Sequence, residues 1–297
     1  MNEALKRLSP YLLSSSCVSI EDGIPSHPIP NPSPGMRANA YYFGHPKWAK
    51  TWIDTVHRYP ELARRWLAVA GTWDDKIVVD IGCGPGNLHA ALRGSPKLLI
   101  GIDVSIGALV LAEQIGYIPL RADAQDIPLV SQFADVVAMN ATLHHCDVMA
   151  RALGEAARLV RPGGVLVADH DPQRSAYEFR GVGRGLWNAR LPLYRLLKRS
   201  GHSREDDEQT WALATELHHK PRDGLTREML IDTLRPLGFE VRLYPHNHRV
   251  GAEVSVGKTA RAPFRMRLTQ RLSGINPNSP EACMSLMCVA TRKSRVN

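Results

Sequence analysis

Between residues 76 and 172, short unbroken apolar runs alternate with stretches of helical spacing. The runs "KIVVDIG" (76–82), "KLLIGIDVS" (97–105), "YIPLRADA" (117–124), "ADVVAMNA" (134–141) and "GVLVADHD" (164–171) read as five strands. Helices are expected from about Asn87, near 106–115 and over 147–160, the last stopped by Pro162-Gly163-Gly164 as the turn before the fifth strand. Strands that are apolar throughout, rather than at every second position, belong to a parallel sheet covered by helices on both faces.

The alternation fails after residue 172, where residues 172–223 keep helical spacing and are rich in arginine. It resumes over 226–246, with a helix capped by Thr226 and a strand from about Phe239, and a second basic interruption then leads to a last strand at 283–293. At the other end, five prolines between residues 21 and 35 predict an extended arm. Helical spacing follows through Trp48, Trp52 and Val56, then Leu62, Trp66 and Val69, with Pro60 dividing the two pieces. The expected organisation is an N-terminal arm and helical lid over 1–72, then a sheet domain over 73–297 carrying insertions at 173–223 and 247–282.

Composition narrows the class. With 44% hydrophobic and 22% charged residues the chain is typical of a globular protein, and it contains no apolar run long enough to span a membrane. The N-terminal stretch lacks the features of a secretion signal, and five cysteines without C-x-x-C spacing read as free thiols, so a cytoplasmic location is expected. Charge is unevenly placed: residues 77–172 hold 6 Lys/Arg against 10 Asp/Glu, whereas residues 173–297 hold 22 against 12. A basic C-terminal part suits an acidic substrate, RNA or an anionic membrane, or is a solvated face with no partner.

The most informative stretch is "VVDIGCGPGNLHAAL" (78–92), which delivers Asp80 and then Gly82, Gly84 and Gly86 into a helix. Ligands of open α/β sheets sit at this edge, and glycines let the backbone approach them. A dinucleotide is disfavoured because the sixth position from Gly82 is Asn87 rather than glycine, and because Pro85 removes an amide donor. No Gly-Lys-Ser/Thr follows, so a nucleotide-phosphate loop is disfavoured as well.

This stretch resembles the first motif of class I S-adenosylmethionine-dependent methyltransferases, and further motifs of that family follow in order. Asp103 stands at the end of the second strand, "ADAQDIPL" (122–129) follows the third, "NATLHH" (140–145) ends the fourth, and "RPGG" (161–164) precedes the fifth. Leu143, His144, His145, Asp147, Glu155, Arg158, Leu159 and Pro162-Gly163-Gly164 match the subgroup of quinone-biosynthesis and natural-product methyltransferases. The resemblance is close over about 73–172 and looser over 224–246 and 283–293. It implies a Rossmann-like, doubly wound, seven-stranded sheet, mostly parallel with an antiparallel last strand. It also implies S-adenosyl-L-methionine as cofactor and S-adenosyl-L-homocysteine as product. The cofactor would be held by Asp80, Gly82, Cys83, Gly84, Gly86, Asn87, Asp103, Val104, Asp123, Ala124 and Asn140, with Asp103 on the ribose, Asp123 and Ala124 on the adenine and Asn140 near the methionine end.

A sulfonium carries its own leaving group, so the protein must chiefly align the reactants and exclude water. Tyr41, Tyr42 and Trp48 in the N-terminal arm are candidates for a lid, Tyr42 against the cofactor and Tyr41 against the substrate. Histidine is well matched to base catalysis near neutral pH, and His144, His145 and His170 all follow strand ends at the same edge. His246 is a further candidate for substrate contact, whereas His218 and His219 read as a helix end. A magnesium site would need acids from adjoining strand ends, but the fourth strand ends in Asn140 and no metal is expected.

The insertions mix apolar side chains, including Trp187 and Tyr194, with many basic ones. They fit a lid over an apolar or anionic small molecule, a helix that touches a membrane surface, or an RNA-binding face. RNA is the least favoured, since no RNA-binding module accompanies the charge. The expected function is methyl transfer to oxygen or carbon of a small molecule. The alternatives are an RNA methyltransferase and a non-catalytic cofactor-binding protein, and the oligomeric state stays open.

Overall fold

The computed structural model describes residues 2–49, 59–196 and 206–294. Trp52 and Val56, expected in the N-terminal helix, lie outside the described residues, as does the side chain of Tyr194.

The expected strands of the sheet form at β3 (Ile77–Ile81), β4 (Leu98–Asp103), β5 (Ile118–Arg121), β6 (Ala134–Asn140), β7 (Val160–Asp169), β8 (Phe239–His246) and β9 (Ser285–Arg292). They lie in the order β5-β4-β3-β6-β7-β9-β8, with β3 through β7 parallel and β9 antiparallel to both of its neighbours. The unbroken apolar character of the central strands has a direct cause. Val79, Ile81, Ile100, Ile102, Val137 and Met139 bury themselves under helix Met149–Leu159 on one face. Val78, Leu99, Val136 and Ala138 pack with Trp66, Trp73 and Leu109 on the other. The apolar residues of the central strands therefore have a packing layer on both faces of the sheet.

Two expectations need correction. The N-terminal arm is not wholly extended: β1 (Ser19–Glu21) and β2 (Ile24–Ser26) form a hairpin, and Ser26 pairs with Arg121, so the sheet has nine strands among the described residues. The turn is the two-residue Asp22-Gly23, both with positive φ (49° and 85°), the geometry that aspartate-glycine favours. Three-residue strands are too short for their alternation to be read. Pro162-Gly163-Gly164, in turn, lies within β7 rather than before it, where pairing jumps from Ala134–Val160 to Val136–Val165. Gly163 takes φ +75° in this bulge.

Helix Pro34–Gly44, capped by the Ser33 hydroxyl, lies across helix Ile106–Gln114 at a contact of Gly44 with Gly107. A Cβ on Gly107 would stand 2.5 Å from the Gly44 carbonyl oxygen, so the approach requires glycine. On its other side helix Pro34–Gly44 meets helix Asp206–Thr215 of the first insertion, with Tyr41 and Trp211 ring centroids 4.5 Å apart. The other two insertion helices, Gly181–Leu196 and Phe264–Leu272, meet each other at Gly183, where a Cβ would collide with Thr269 and Ser273. No helix among the described residues is long and apolar enough to cross a membrane.

Candidate active site

A cavity of about 1100 Å³, counting its open mouth, lies beyond the carboxyl ends of β3, β4, β5 and β6. Asp80, Gly82, Cys83, Gly84 and Asn87 line it from β3 and the following turn, and Asp103 and Val104 from β4. Asp123 and Ala124 contribute from beyond β5, and Asn140, His144 and His145 from β6.

The glycine turn and the β4 acid form one unit. The Gly84 amide donates to one Asp103 oxygen at 2.9 Å and the Ser105 amide to the other at 2.9 Å. The Val104 amide also favours the ionised carboxylate, and Asp103 lines the cavity. Burial raises the Asp103 carboxyl above its ordinary value, opposed by these amides. Asp80 is fully buried and accepts from the Tyr117 hydroxyl at 2.7 Å; burial pushes its carboxyl up to about 7. Asp123 accepts from the Gln125 amide at 2.9 Å, which fixes its carboxylate at the cavity wall.

The three glycines have different tasks. A Cβ on Gly84 would meet no atom within 4 Å, so this is the glycine that leaves room for a ligand. A Cβ on Gly82 would stand 2.4 Å from Thr142, whose hydroxyl donates to the Ile81 carbonyl. Gly86, expected to touch the cofactor, instead takes φ +90° before helix Asn87–Leu92 and packs on Ile115 and Tyr117, away from the cavity.

His144 and His145 sit in a short 3-10 turn after β6, with ring centroids 4.0 Å apart. Nδ1 of His144 donates to Asp171 at 2.8 Å, and Nδ1 of His145 donates to the Thr215 carbonyl at 2.7 Å. Burial lowers both rings; for His144 the Asp171 hydrogen bond and Glu216 reverse the direction and raise it. For His145 burial and the neighbouring His144 take the value down to about 4, leaving it a neutral imidazole at neutral pH. Glu216, unforeseen from the sequence, reaches the same wall from just beyond helix Asp206–Thr215 and accepts from His219 Nδ1 at 2.9 Å. Burial opposes its ionisation, but the His219 bond and the nearby rings hold its carboxyl well below the ordinary range.

Several expected residues stand elsewhere. His170 bonds Tyr59 and lies beside His248, outside the cavity lining. His246 is fully buried and donates through Nε2 to Asp169 at 2.7 Å. Asp169 also accepts from Arg65 and Trp66, which makes it a structural anchor between β7 and helix Pro60–Ala70. Tyr42 packs on Phe43 and Trp48 rather than facing the cavity, and Tyr41 lies on the outer side beside Trp211. From this arm it is Met36, Asn39 and Phe43 that line the cavity. Trp187 packs against Phe179 and Tyr177. His218 and His219 are not a helix end: His218 pairs with Asp223 and His219 with Glu216.

Known proteins share this architecture. A family described as a methyltransferase domain matches residues 79–168. The malonyl-[acyl-carrier protein] O-methyltransferase of Pectobacterium atrosepticum is 32% identical over 115 residues, which cover 37% of this chain and 46% of that protein. The ubiquinone biosynthesis O-methyltransferase of Thiobacillus denitrificans is 31% identical over 116 residues, 37% of this chain and 50% of that one. The chain thus spans about half the length of the curated relatives it matches. Among solved structures, the plantazolicin methyltransferase BamL, in complex with a triazolic desmethylPZN analog and SAH, shares the fold at TM-score 0.52 and 16% identity over 88% of this chain and 96% of that one.

Proposed function

We propose that this chain, which carries a class I S-adenosylmethionine-dependent methyltransferase domain, transfers the cofactor's methyl group to an oxygen of a small-molecule acceptor. The observation that carries the reading is the joint placement of Asp103 and Gly84. The Asp103 carboxylate lines the cavity within reach of a ribose, and the space a Cβ on Gly84 would fill is open to the ligand.

When bound, S-adenosylmethionine supplies a methyl group on a sulfonium, activated for direct displacement. The chain's own residues supply alignment, exclusion of water and a destination for a proton. Asp103 orients the ribose, Asp123 and the Ala124 amide take the adenine edge, and Asn140 stands at the methionine end. Met36, Asn39 and Phe43 on helix Pro34–Gly44 cover the cavity from the N-terminal side. Helix Pro34–Gly44 and helix Asp206–Thr215 of the first insertion therefore act together as a lid, because they pack on each other. The acceptor's hydroxyl or carboxyl group lies against the wall of His144, His145 and Glu216. His145 is neutral, its Nδ1–H is committed to a carbonyl, and its Nε2 is the group able to receive the acceptor's proton. Relatives named as malonyl-[acyl-carrier protein] and ubiquinone biosynthesis O-methyltransferases support an oxygen acceptor.

The test is incubation of the purified chain with methyl-labelled S-adenosylmethionine and a cell extract, followed by counting label in small-molecule, lipid, RNA and protein fractions. Label in a small molecule, absent with Gly84→Arg, is the expected result. Label confined to RNA or protein, or equal label with Gly84→Arg, overturns it.

A further inference from the structure

The wall that faces the acceptor has a second property. His144, His145 and Glu216 come from two segments far apart in sequence, yet their ligand atoms all lie within 4.8 Å of one another. We propose that Nε2 of His144, Nε2 of His145 and the Glu216 carboxylate form a seat for one divalent zinc-class metal ion, open toward the cavity.

The hydrogen bonds around the rings carry this inference. A carbonyl oxygen only accepts, so His145 must hold its proton on Nδ1, toward Thr215, which leaves the Nε2 lone pair exposed as a ligand. His144 is fixed in the same sense, Nδ1 toward Asp171, whose carboxylate also takes the His144 backbone amide at 3.0 Å. A histidine that donates from one nitrogen to a carboxylate or carbonyl, and presents the other, has the outer-shell support of a metal ligand. The separation of His144 Nε2 from Glu216 Oε2 is 3.7 Å, too long for a hydrogen bond. It is close to the ~3.4 Å edge between two ligands of a tetrahedral ion with bonds of ~2.0–2.1 Å.

Two imidazoles and one carboxylate favour zinc over magnesium or calcium, which prefer all-oxygen sets. Three protein ligands leave a coordination position free, and the cavity lies on that side. An acceptor oxygen is one donor that such a position takes. Metal and a proton on His145 Nε2 are alternative states of the same atom; with the ion bound, an acceptor hydroxyl at the free position would be acidified by the metal and its proton would pass to solvent rather than to His145. The inference rests on the methyl-transfer reading for that step alone; the seat itself stands on the geometry.

The experiment titrates Zn²⁺ into the chelator-treated full chain by calorimetry. A Cys17→Ser background is used throughout, because an exposed free thiol is a competing ligand for added zinc. One ion per chain is expected. Glu216→Gln and His145→Gln should each weaken binding at least tenfold, and Asp171→Asn, which removes no ligand, by about tenfold. Circular dichroism identifies any variant that fails to fold, and either of the others then decides. No uptake by the unsubstituted site, or equal affinity in the folded variants, overturns the proposal. S-adenosylhomocysteine titrated separately into the same proteins reports on the cofactor reading, so the two failures are distinguishable.

Discussion

The Gly84 amide donates to the Asp103 carboxylate at 2.9 Å, joining the turn after β3 to the end of β4 across the cavity floor. The same carboxylate is the group expected to hold the ribose. Replacing Asp103 with Ala removes charge-assisted bonds and should weaken S-adenosylhomocysteine binding by about 1.5–3 kcal/mol, a rise in Kd of about 10- to 150-fold. Calorimetry checks it, and an unchanged Kd removes Asp103 from that role.

The glycines separate packing from binding. Gly82→Ala drives a methyl group into Thr142, so it should lower Tm and cost about 1–3 kcal/mol. Gly84→Ala meets nothing and should cost only the strain of its left-handed φ of +53°, about 1 kcal/mol, while disturbing ligand binding more than the fold. Thermal melts of the two variants, with and without S-adenosylhomocysteine, distinguish the effects.

Asp80 carries a pH signature. Burial raises its carboxyl from the ordinary 3.8 to about 7, so the folded chain binds a proton there that the unfolded chain has lost. Its contribution to stability is fully present below the unfolded value and declines as pH rises toward 7. Asp80→Asn keeps an acceptor for Tyr117 without the charge. The variant's Tm relative to the parent should therefore increase between pH 5 and pH 8, and a constant difference would show that Asp80 does not titrate in that window.

Asp169 has the opposite sign. Burial opposes its ionisation, but Arg65, His246 and His170 hold its carboxyl well below the ordinary range. Its stabilisation is present above the unfolded carboxylate value and is lost on acidification. Asp169→Ala leaves Arg65 buried and unpaired by this acid, and should cost about 3–5 kcal/mol in chemical denaturation. A loss under 1 kcal/mol would contradict the anchoring role.

Much of this was legible from the sequence because the central strands are buried on both faces, so their apolar runs are unbroken and mark most strand ends within a residue or two. β5 stops at Arg121, three residues before the expected end, and β7 begins at Val160, four residues before the expected start. Asp103 and Asn140 stand at such ends, and Asp123, singled out through the family resemblance, lies two residues beyond β5. The hairpin at Asp22-Gly23 was not legible, since two three-residue strands are stabilised by pairing rather than by pattern. Glu216 was hidden for another reason. It reaches the cavity only because helix Asp206–Thr215 docks on helix Pro34–Gly44, a contact between segments about 170 residues apart in sequence. His170 and His246 show the converse: both sit at the correct sheet edge, but Asp169, Arg65 and Tyr59 draw them into a buried network beside the cavity.

The central claim is that S-adenosylmethionine occupies the space in front of Gly84, and the most direct test is calorimetric titration of S-adenosylhomocysteine into the parent chain and Gly84→Arg. The account predicts one site in the parent and none in Gly84→Arg, with both proteins folded, because the new side chain enters the cavity and meets no protein atom at its Cβ. Equal binding by the two folded proteins would contradict it.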